Sequence, residues 1–456
     1  MTLIKFIKQY SFSFLSWMFI VLFTLAFTQF FINWSKAGHP FVDDIDQYYS
    51  YLNAVFIDHN LSFEGENHGY WLIETPTHHL VPKVTYGMAF FYCPFYILAK
   101  IFSASGSDGY EAIYAWFIHL GCISYILCGL WFARKILLIW FSEAVTAVSL
   151  LVLFFGTNLF NYTLSESESV HGILFFLIAV FFYYVIKWQQ TSDKKYFLVF
   201  CMFAGFICLI RPTECLIFLF PLLININSNK NRQTNLTKFI SLRWSLIIGA
   251  FLFLLPILPQ LFYWKIQSGQ WLFFSYGSNE GFFLADPKLF KVLMSYRKGW
   301  LVYSPIMILS LIGFILLYKK NRKLFFPILI YFCINLYLIS AWWDWAFGGS
   351  FGMRALIQAY VFLVIPLAYF IQWIIEVNKK AILKYCFAVF VLFFIALNLL
   401  QSNLYKHGII DYDGMTKEAY WYTFFKKKYS SDDLSHLKTL IKHPNYDSMR
   451  SGNRNE

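Results

Sequence analysis

Runs of about 20 apolar residues recur from residue 11 to residue 402, and that repetition limits the chain more than any other feature it has. A helix needs about 20 residues to cross a hydrocarbon layer roughly 30 Å thick, because each residue adds about 1.5 Å. A soluble fold cannot absorb so many runs. With 59% hydrophobic and 14% charged residues, and a mean hydropathy of +0.53, there is too little polar surface to cover the core they would make. The sequence therefore predicts an all-α polytopic membrane protein whose solvent is a lipid bilayer. On a soluble protein the formal charge of +12 would suggest nucleic acid. Here it signals orientation, since lysine and arginine collect in short cytoplasmic loops, and no nucleic-acid partner is expected. The eight cysteines fall in or beside apolar runs without metal-ligand spacing, which marks them as packing residues.

The first run, Phe12 to Trp34, is too long for a signal-peptide core and lacks a small-x-small cleavage site, so it is expected to stay as the first span. The remaining apolar segments are roughly 86–103, 110–133, 142–160, 170–187, 196–210, 213–225, 244–265, 302–318, 324–341, 354–375 and 382–402. If all of them cross, Arg134, Lys135, Lys194, Lys195, Lys230, Arg232 and Lys238 fall outside, against the usual charge bias. Laying 86–103 along the outer surface, as Pro94 and Lys100 favour, moves those cations inside. Arg211-Pro212 then divides Tyr196 to Ile224 into two short helices meeting at a recessed outer turn. That arrangement keeps Lys319, Lys320, Arg322, Lys323, Lys379 and Lys380 inside. The expected topology is eleven crossings, N-terminus inside and C-terminus outside, with juxtamembrane helices on the outer face. Residues 1–402 are expected to form the transmembrane domain, with the first outer loop, 35–109, as its catalytic segment. Residues 403–456 are expected to be a short outer tail, its aromatic run Tyr420 to Phe425 beside Lys426, Lys427 and Lys428 anchoring it at the interface.

In this topology only Glu143, Asp193 and Glu376 face the cytoplasm, leaving 22 of the 25 acids outside. The spans hold almost no ionisable group at mid-depth, which argues against an ion-coupled transporter. The densest acidic site is Asp43-Asp44-Ile45-Asp46, just after the first span and ahead of a helix-like stretch that begins Gln47-Tyr48-Tyr49. These carboxylates suit a helix N-terminus, and near apolar surroundings one of them suits a general base. Glu166-Ser167-Glu168, followed by His171, offers ligands for a divalent metal ion or hydrogen bonds for a sugar, and equally a polar turn that caps the next helix. Cations gather outside as His78, His79, Lys83, Arg211, Arg297, Lys298 and Arg354. Arg211 and Arg354 sit at helix mouths among aromatics, as expected for gripping a phosphate below headgroup level.

Several of these segments, in this order, resemble GT-C-type integral membrane glycosyltransferases. They are Asp43, Asp44 and Asp46 with Tyr48-Tyr49; Lys83 with Tyr86-Gly87 leading to Pro94-Phe95; Gly156-Thr157-Asn158-Leu159; Arg211-Pro212-Thr213; Pro259-Gln260 with Trp264-Lys265; Gly299-Trp300 with Ser304-Pro305; and Gly348-Gly349 before Gly352 and Arg354. The similarity runs to about residue 410. It is closest to the bacterial group that uses polyprenyl-phosphate sugars, which includes protein mannosyltransferase and lipid A aminoarabinose transferase relatives. The resemblance implies an essential aspartate in the first outer loop, for which Asp44 stands nearest, with Asp43 and Asp46 as alternates. It also places Glu166 and Glu168 where oligosaccharyltransferase relatives carry an acidic metal motif, although those relatives usually have aspartate second.

The expectation is an inverting transfer of a sugar from a polyprenyl-phosphate donor to an acceptor glycan, lipid or protein at the outer face of a bacterial inner membrane. Asp44 would act as the base, Arg211, Arg354 and Lys83 would stabilise the phosphate, and Arg297 would belong to the substrate- and phosphate-binding set. Tyr48, His78, His79 and Trp343 would line the sugar pocket. The rival is a non-enzymatic lipid-carrier flippase or polysaccharide export protein, which would also want outer cations and an apolar groove but has no need of the carboxylate cluster.

Overall fold

The computed structural model describes residues 11–32, 40–63, 72–224, 243–277, 280–424, 426 and 428–454. The basic loop carrying Lys230, Arg232 and Lys238, together with Phe425 and Lys427, lies outside them. Within them the chain is almost all helical. The main helices are α1 (Phe12–Phe31), α2 (Asp43–Phe56), α3 (Gly87–Phe102), α4 (Ala112–Leu137), α5 (Glu143–Phe155), α6 (Val170–Thr191), α7 (Lys194–Ile210), α8 (Arg243–Leu254) and α9 (Leu258–Ser268). They continue with α10 (Ile308–Lys320), α11 (Arg322–Ala341), α12 (Tyr360–Gln372), α13 (Ala381–Lys406), α14 (Lys417–Phe424), α15 (Ser431–Leu440) and α16 (Tyr446–Arg450). A small antiparallel hairpin joins β1 (Leu72–Glu74) to β2 (Leu80–Pro82). Several starts are capped by a side-chain oxygen that accepts an otherwise unused N–H: Ser11 on α1, Ser142 on α5, Ser169 on α6, Asp193 on α7 and Asn321 on α11.

Among the described residues, six helices are long and apolar enough to cross a membrane: α1, α4, α6, α11, α13, and α12 continued through Val377. The pair α8 and α9, bent by 50°, makes a seventh if it counts as one broken span. The chain is thus an all-α protein of membrane type, but the expected eleven crossings are not present as straight spans. Helix α5 has 13 residues, about 20 Å, and stops at Gly156, which approaches Ile306 so closely that a Cβ there would lie 3.0 Å from its Cγ2. The expected span 302–318 is interrupted at Ser304-Pro305, where proline has no N–H to continue the ladder, and only Ile308–Lys320 remains regular. The expected span 213–225 is a 3-10 turn, Pro212–Phe218, followed by the short helix Leu219–Leu223. Hydropathy registered the apolar content of all three and not their breaks. Segment 86–103 forms the single 16-residue helix α3, which runs through Pro94.

The chain divides into two compact units, each assembled from separated segments. The first comprises Met1–Ile32, Ala133–Ser165 and Gly281–Glu456, the second Asn33–Phe132 and Glu166–Glu280. In the first, α1 packs on α5, α5 on α12 and α13, and α10 against α12. Arg134 at the end of α4 reaches Ser13 Oγ at 2.7 Å and Ser11 Oγ at 2.8 Å, and stands 3.6 Å from Glu143 at the start of α5. Asn398 of α13 donates to both Phe155 O and Thr157 O at 2.9 Å, covering the carbonyls that α5 leaves open. In the second unit α6 packs on α7, α7 on α8, and α2 on α3.

The tail belongs to the first unit rather than standing apart. Tyr420 and Thr423 of α14 are buried, and the Tyr420 hydroxyl accepts from Gln401 at 2.6 Å, while Trp421 is exposed. The aromatic run therefore turns one edge inward and only the other outward. Arg454 is fully buried, and its guanidinium donates to the carbonyls of Asp286, Ser340, Trp342 and Trp343 at 2.6 to 3.2 Å.

Helices α10 and α12 touch backbone to backbone at Gly313, where an added Cβ would lie 2.0 Å from Pro366 O. Gly313→Val is expected to lose about 1–3 kcal/mol through forced separation of the two helices. Its thermal unfolding in detergent, compared with that of wild type, measures the loss.

Candidate functional site

Helix α2 begins with three carboxylates and no side-chain cap at Val42, so Asp43, Asp44 and Asp46 face the positive end of its own dipole. Asp43 takes a left-handed conformation with φ 52°, which aspartate tolerates better than most residues. Asp43 and Asp44 are exposed, and Asp46 Oδ1 accepts from the Tyr110 hydroxyl at 3.1 Å. From the next turn the helix sinks inward. Gln47, Tyr48, Tyr49 and Tyr51 are buried, which places Tyr48 inside the unit and away from an open sugar pocket. Tyr49 stacks on Phe41 with ring centroids 3.7 Å apart, and its hydroxyl donates to Gly109 O.

The loop Lys83–Gly87 joins three elements of this unit. The Tyr51 hydroxyl of α2 donates to Val84 O at 2.8 Å; the Thr85 hydroxyl donates to Leu209 O, two residues before Arg211, at 2.8 Å; and Tyr86 N donates to Gln260 Oε1 of α9 at 3.0 Å. The Tyr86 hydroxyl also reaches Pro256 O at 2.6 Å, and burial pushes that phenol up to about 12. Gly87 fits so closely under the end of α7 that a Cβ would lie 2.7 Å from Ile210 Cγ1. Arg211 ends α7 in an extended conformation, half-buried, its Nε 3.4 Å from Thr213 Oγ1. Lys83 Nζ is 2.6 Å from Glu280 Oε2 and lies 4.8 Å from the centre of the Tyr276 ring. The structure thus brings Lys83, Gln260 and the Arg211 turn to one junction, with α2 tied to it seven residues after Asp44.

His78 and His79 sit elsewhere, at the hairpin tip. His78 has φ 63°, is exposed and pairs with Glu74 at 2.7 Å, so it lines no recess. The hairpin itself is held to the end of α9 by Thr75, whose hydroxyl donates to Gln267 O at 2.8 Å.

Glu166, Glu168 and His171 are not gathered around a cation position. Glu168 turns inward and meets His119 of α4, with Oε1 to Nδ1 at 2.7 Å and both side chains at most 1% exposed. The Ser167 hydroxyl donates to His119 O at 3.1 Å and lies 2.9 Å from the same Nδ1. The Tyr92 hydroxyl donates to Glu168 O, fastening the turn to α3. Among the described residues no three His, Cys, Asp or Glu side chains are placed to hold a metal ion, and Glu168, one of the donors expected there, is paired with His119. Sequence reasoning missed His119; its signal was a lone histidine within the apolar run of α4.

In the first unit the remaining candidates have structural partners. Arg297 Nη2 is 3.0 Å from Asp413 Oδ1 and 4.0 Å from Asp344 Oδ1, its Nε donates to Asp413 O at 2.8 Å, and it lies 5.5 Å from the centre of the Trp345 ring. A guanidinium so enclosed is committed to the tail rather than to an incoming phosphate. Burial holds the Asp344 carboxyl above the ordinary carboxylate range, against the pull of Arg297 and the N–H groups of Gly348 and Ala346. Trp343 is buried, with Arg450 4.8 Å from its ring centre, so α16 covers the face expected to meet a sugar. Arg354 is half-buried beside Gly348, where an added Cβ would stand 3.9 Å from Arg354 Nη2 and 3.8 Å from Asp344 Oδ2.

No family model and no curated protein matches the chain.

His119→Leu leaves the Glu168 carboxylate buried without its partner and is expected to cost about 3–5 kcal/mol. Replacing both residues with leucine should recover a large part of that loss. Thermal unfolding of the two single variants and the double variant in detergent tests this, and equal losses in the single and double variants would deny the coupling.

Proposed function

We propose that the chain is a membrane glycosyltransferase that moves a sugar from a polyprenyl-phosphate donor to an acceptor at the outer face of a bacterial inner membrane. One observation carries this reading: α2, the Lys83–Gly87 loop, the Arg211 turn and Gln260 of α9 are bonded to one another at a single junction. A carboxylate-bearing helix and two cation-bearing segments tied to one loop match the needs of a displacement whose leaving group is a phosphate. Tyr51 follows Asp44 by seven residues, about 10 Å along the helix, within reach of a sugar phosphate seated at the junction.

In this mechanism Asp44 takes the proton of the acceptor hydroxyl as its oxygen attacks the anomeric carbon. The bond to the phosphate oxygen breaks on the opposite face, inverting the centre. The departing phosphate already carries charge and needs stabilisation more than protonation, which Arg211 supplies as a planar fork and Lys83 as a point charge. Lys83 must exchange Glu280 for the phosphate, so donor binding frees the Glu280 carboxylate. His78, Arg297 and Trp343 are left out of the mechanism because they are turned to other partners, Tyr48 because it is buried and His79 because it stands at the hairpin tip. No step is routed through a metal ion, since Glu166, Glu168 and His171 do not fit one together.

Asp44→Asn, purified into nanodiscs and supplied with a polyprenyl-phosphate sugar, is expected to lose about 10²-fold or more in turnover. Turnover near wild type would remove Asp44 from the role. Arg211→Lys and Arg211→Gln should both raise the donor KM, because neither reproduces the guanidinium fork. Carboxylate variants that still complement in cells, with no sugar transfer detectable from wild type, would favour the flippase reading.

A further inference from the structure

Helices α10 and α11 form a hairpin closed at Asn321, and a wide, open groove of about 540 Å³ lies along them in the first unit. Its walls are apolar and largely aromatic: Phe314, Ile315 and Tyr318 from α10, and Phe325, Leu329 and Cys333 from α11. Tyr318 and Phe325 meet at the closed end of the hairpin with ring centroids 5.0 Å apart, and Phe314 and Phe332 continue the lining deeper, 6.2 Å apart. At that same end stand Lys319, Lys320, Arg322 and Lys323, all exposed, and the stretch from Ile308 to Ala341 contains no acidic residue to offset them. Arg322 is held over the groove mouth, its guanidinium carbon 4.5 Å from the centre of the Tyr318 ring. Helix α10 ends and α11 begins here, so their opposite dipole ends largely offset and the positive field at this end comes from the four side chains.

We infer that this groove is a binding site for an anionic phospholipid, with one acyl chain between α10 and α11 and the phosphate headgroup on Lys319, Lys320, Arg322 and Lys323. A basic headgroup platform continuous with an apolar slot matches both halves of such a lipid, whereas a basic loop that served orientation alone would need no slot beneath it. From Phe325 to Cys333 the lining runs eight residues, about 12 Å, close to the depth of one leaflet. That depth suits a diacyl lipid better than a long isoprenoid. The site is independent of the sugar-transfer proposal, since it uses none of the residues assigned there.

Native mass spectrometry of the purified protein with phosphatidylglycerol or phosphatidylcholine tests the assignment. Wild type should retain phosphatidylglycerol at least about tenfold better than phosphatidylcholine, and each cation changed to glutamine should reduce that preference by about fivefold or less, the combined K319Q/K320Q/R322Q/K323Q variant abolishing it. Lysine-to-arginine changes at 319, 320 and 323 should keep the preference, which separates charge from fold. Leu329→Trp, which fills the slot and leaves every cation in place, should also lose tight retention. Equal retention of the two lipids by wild type would overturn the site. So would a preference that survives the glutamine variant, unchanged retention in Leu329→Trp, or displacement of phosphatidylglycerol by an isoprenyl phosphate at lower concentration.

Discussion

Inside a hydrocarbon layer an unpaired backbone carbonyl or N–H has no water to turn to, and the molecule is organised around that penalty. Long helices meet it by themselves. Wherever a helix stops or bends short of the full span, a side chain from another element arrives to take the loose carbonyl. Asn398 does so at the end of α5, Thr85 at the end of α7, Tyr86 at the bend between α8 and α9, and Gln401 at Val302 O before the Ser304-Pro305 break. These amides and hydroxyls are the price of irregular backbone at depth. They also explain why the candidate groups cluster where they do, because a broken helix is the place where a polar side chain such as Arg211 can be held without facing lipid.

How much of this was legible in the sequence follows from the same distinction. Apolar runs report where a chain prefers hydrocarbon, so the all-α membrane class and the starts of α1, α4, α6, α11 and α13 were readable. So was the break at Arg211-Pro212, because proline carries its own instruction. The shortening of α5 was not, since it depends on what packs against Gly156 from elsewhere in the chain, whereas Pro305 carried the same instruction as Pro212 and was passed over in favour of the apolar run around it. A count of spans from hydropathy assumes that every apolar run is straight.

The site residues divide along a similar line. Asp44 and Arg211 were chosen partly for their positions at the end of a span and the mouth of a helix, Lys83 for its place in a motif resembling the glycosyltransferases, and the 83–87 loop is bonded to the helices that carry Asp44 and precede Arg211. Glu168, Arg297 and Trp343 were chosen by residue type, and type does not name a partner. A carboxylate in a polar turn reads the same whether it faces solvent or a histidine buried in another helix. His119, Asp413 and Arg454, which took those partners or held the segments carrying them, lie 49, 116 and 111 residues away from them in the chain.

The interleaved composition of the first unit has a consequence for how the protein is made. Its early segments end at Ser165, and its remaining part begins only at Gly281, 116 residues later. At roughly 5–20 residues per second, a ribosome needs about 6 to 23 s to cover that interval. Throughout it, α1 and α5 exist without α10, α12 or α13. The contacts among Ser13, Arg134 and Glu143 are the ones this early pair can already close. They give the nascent chain a clasp at one end of α1 and α5 while the carbonyls of Phe155, at the other end of α5, and of Thr157 just beyond it wait for an asparagine not yet translated.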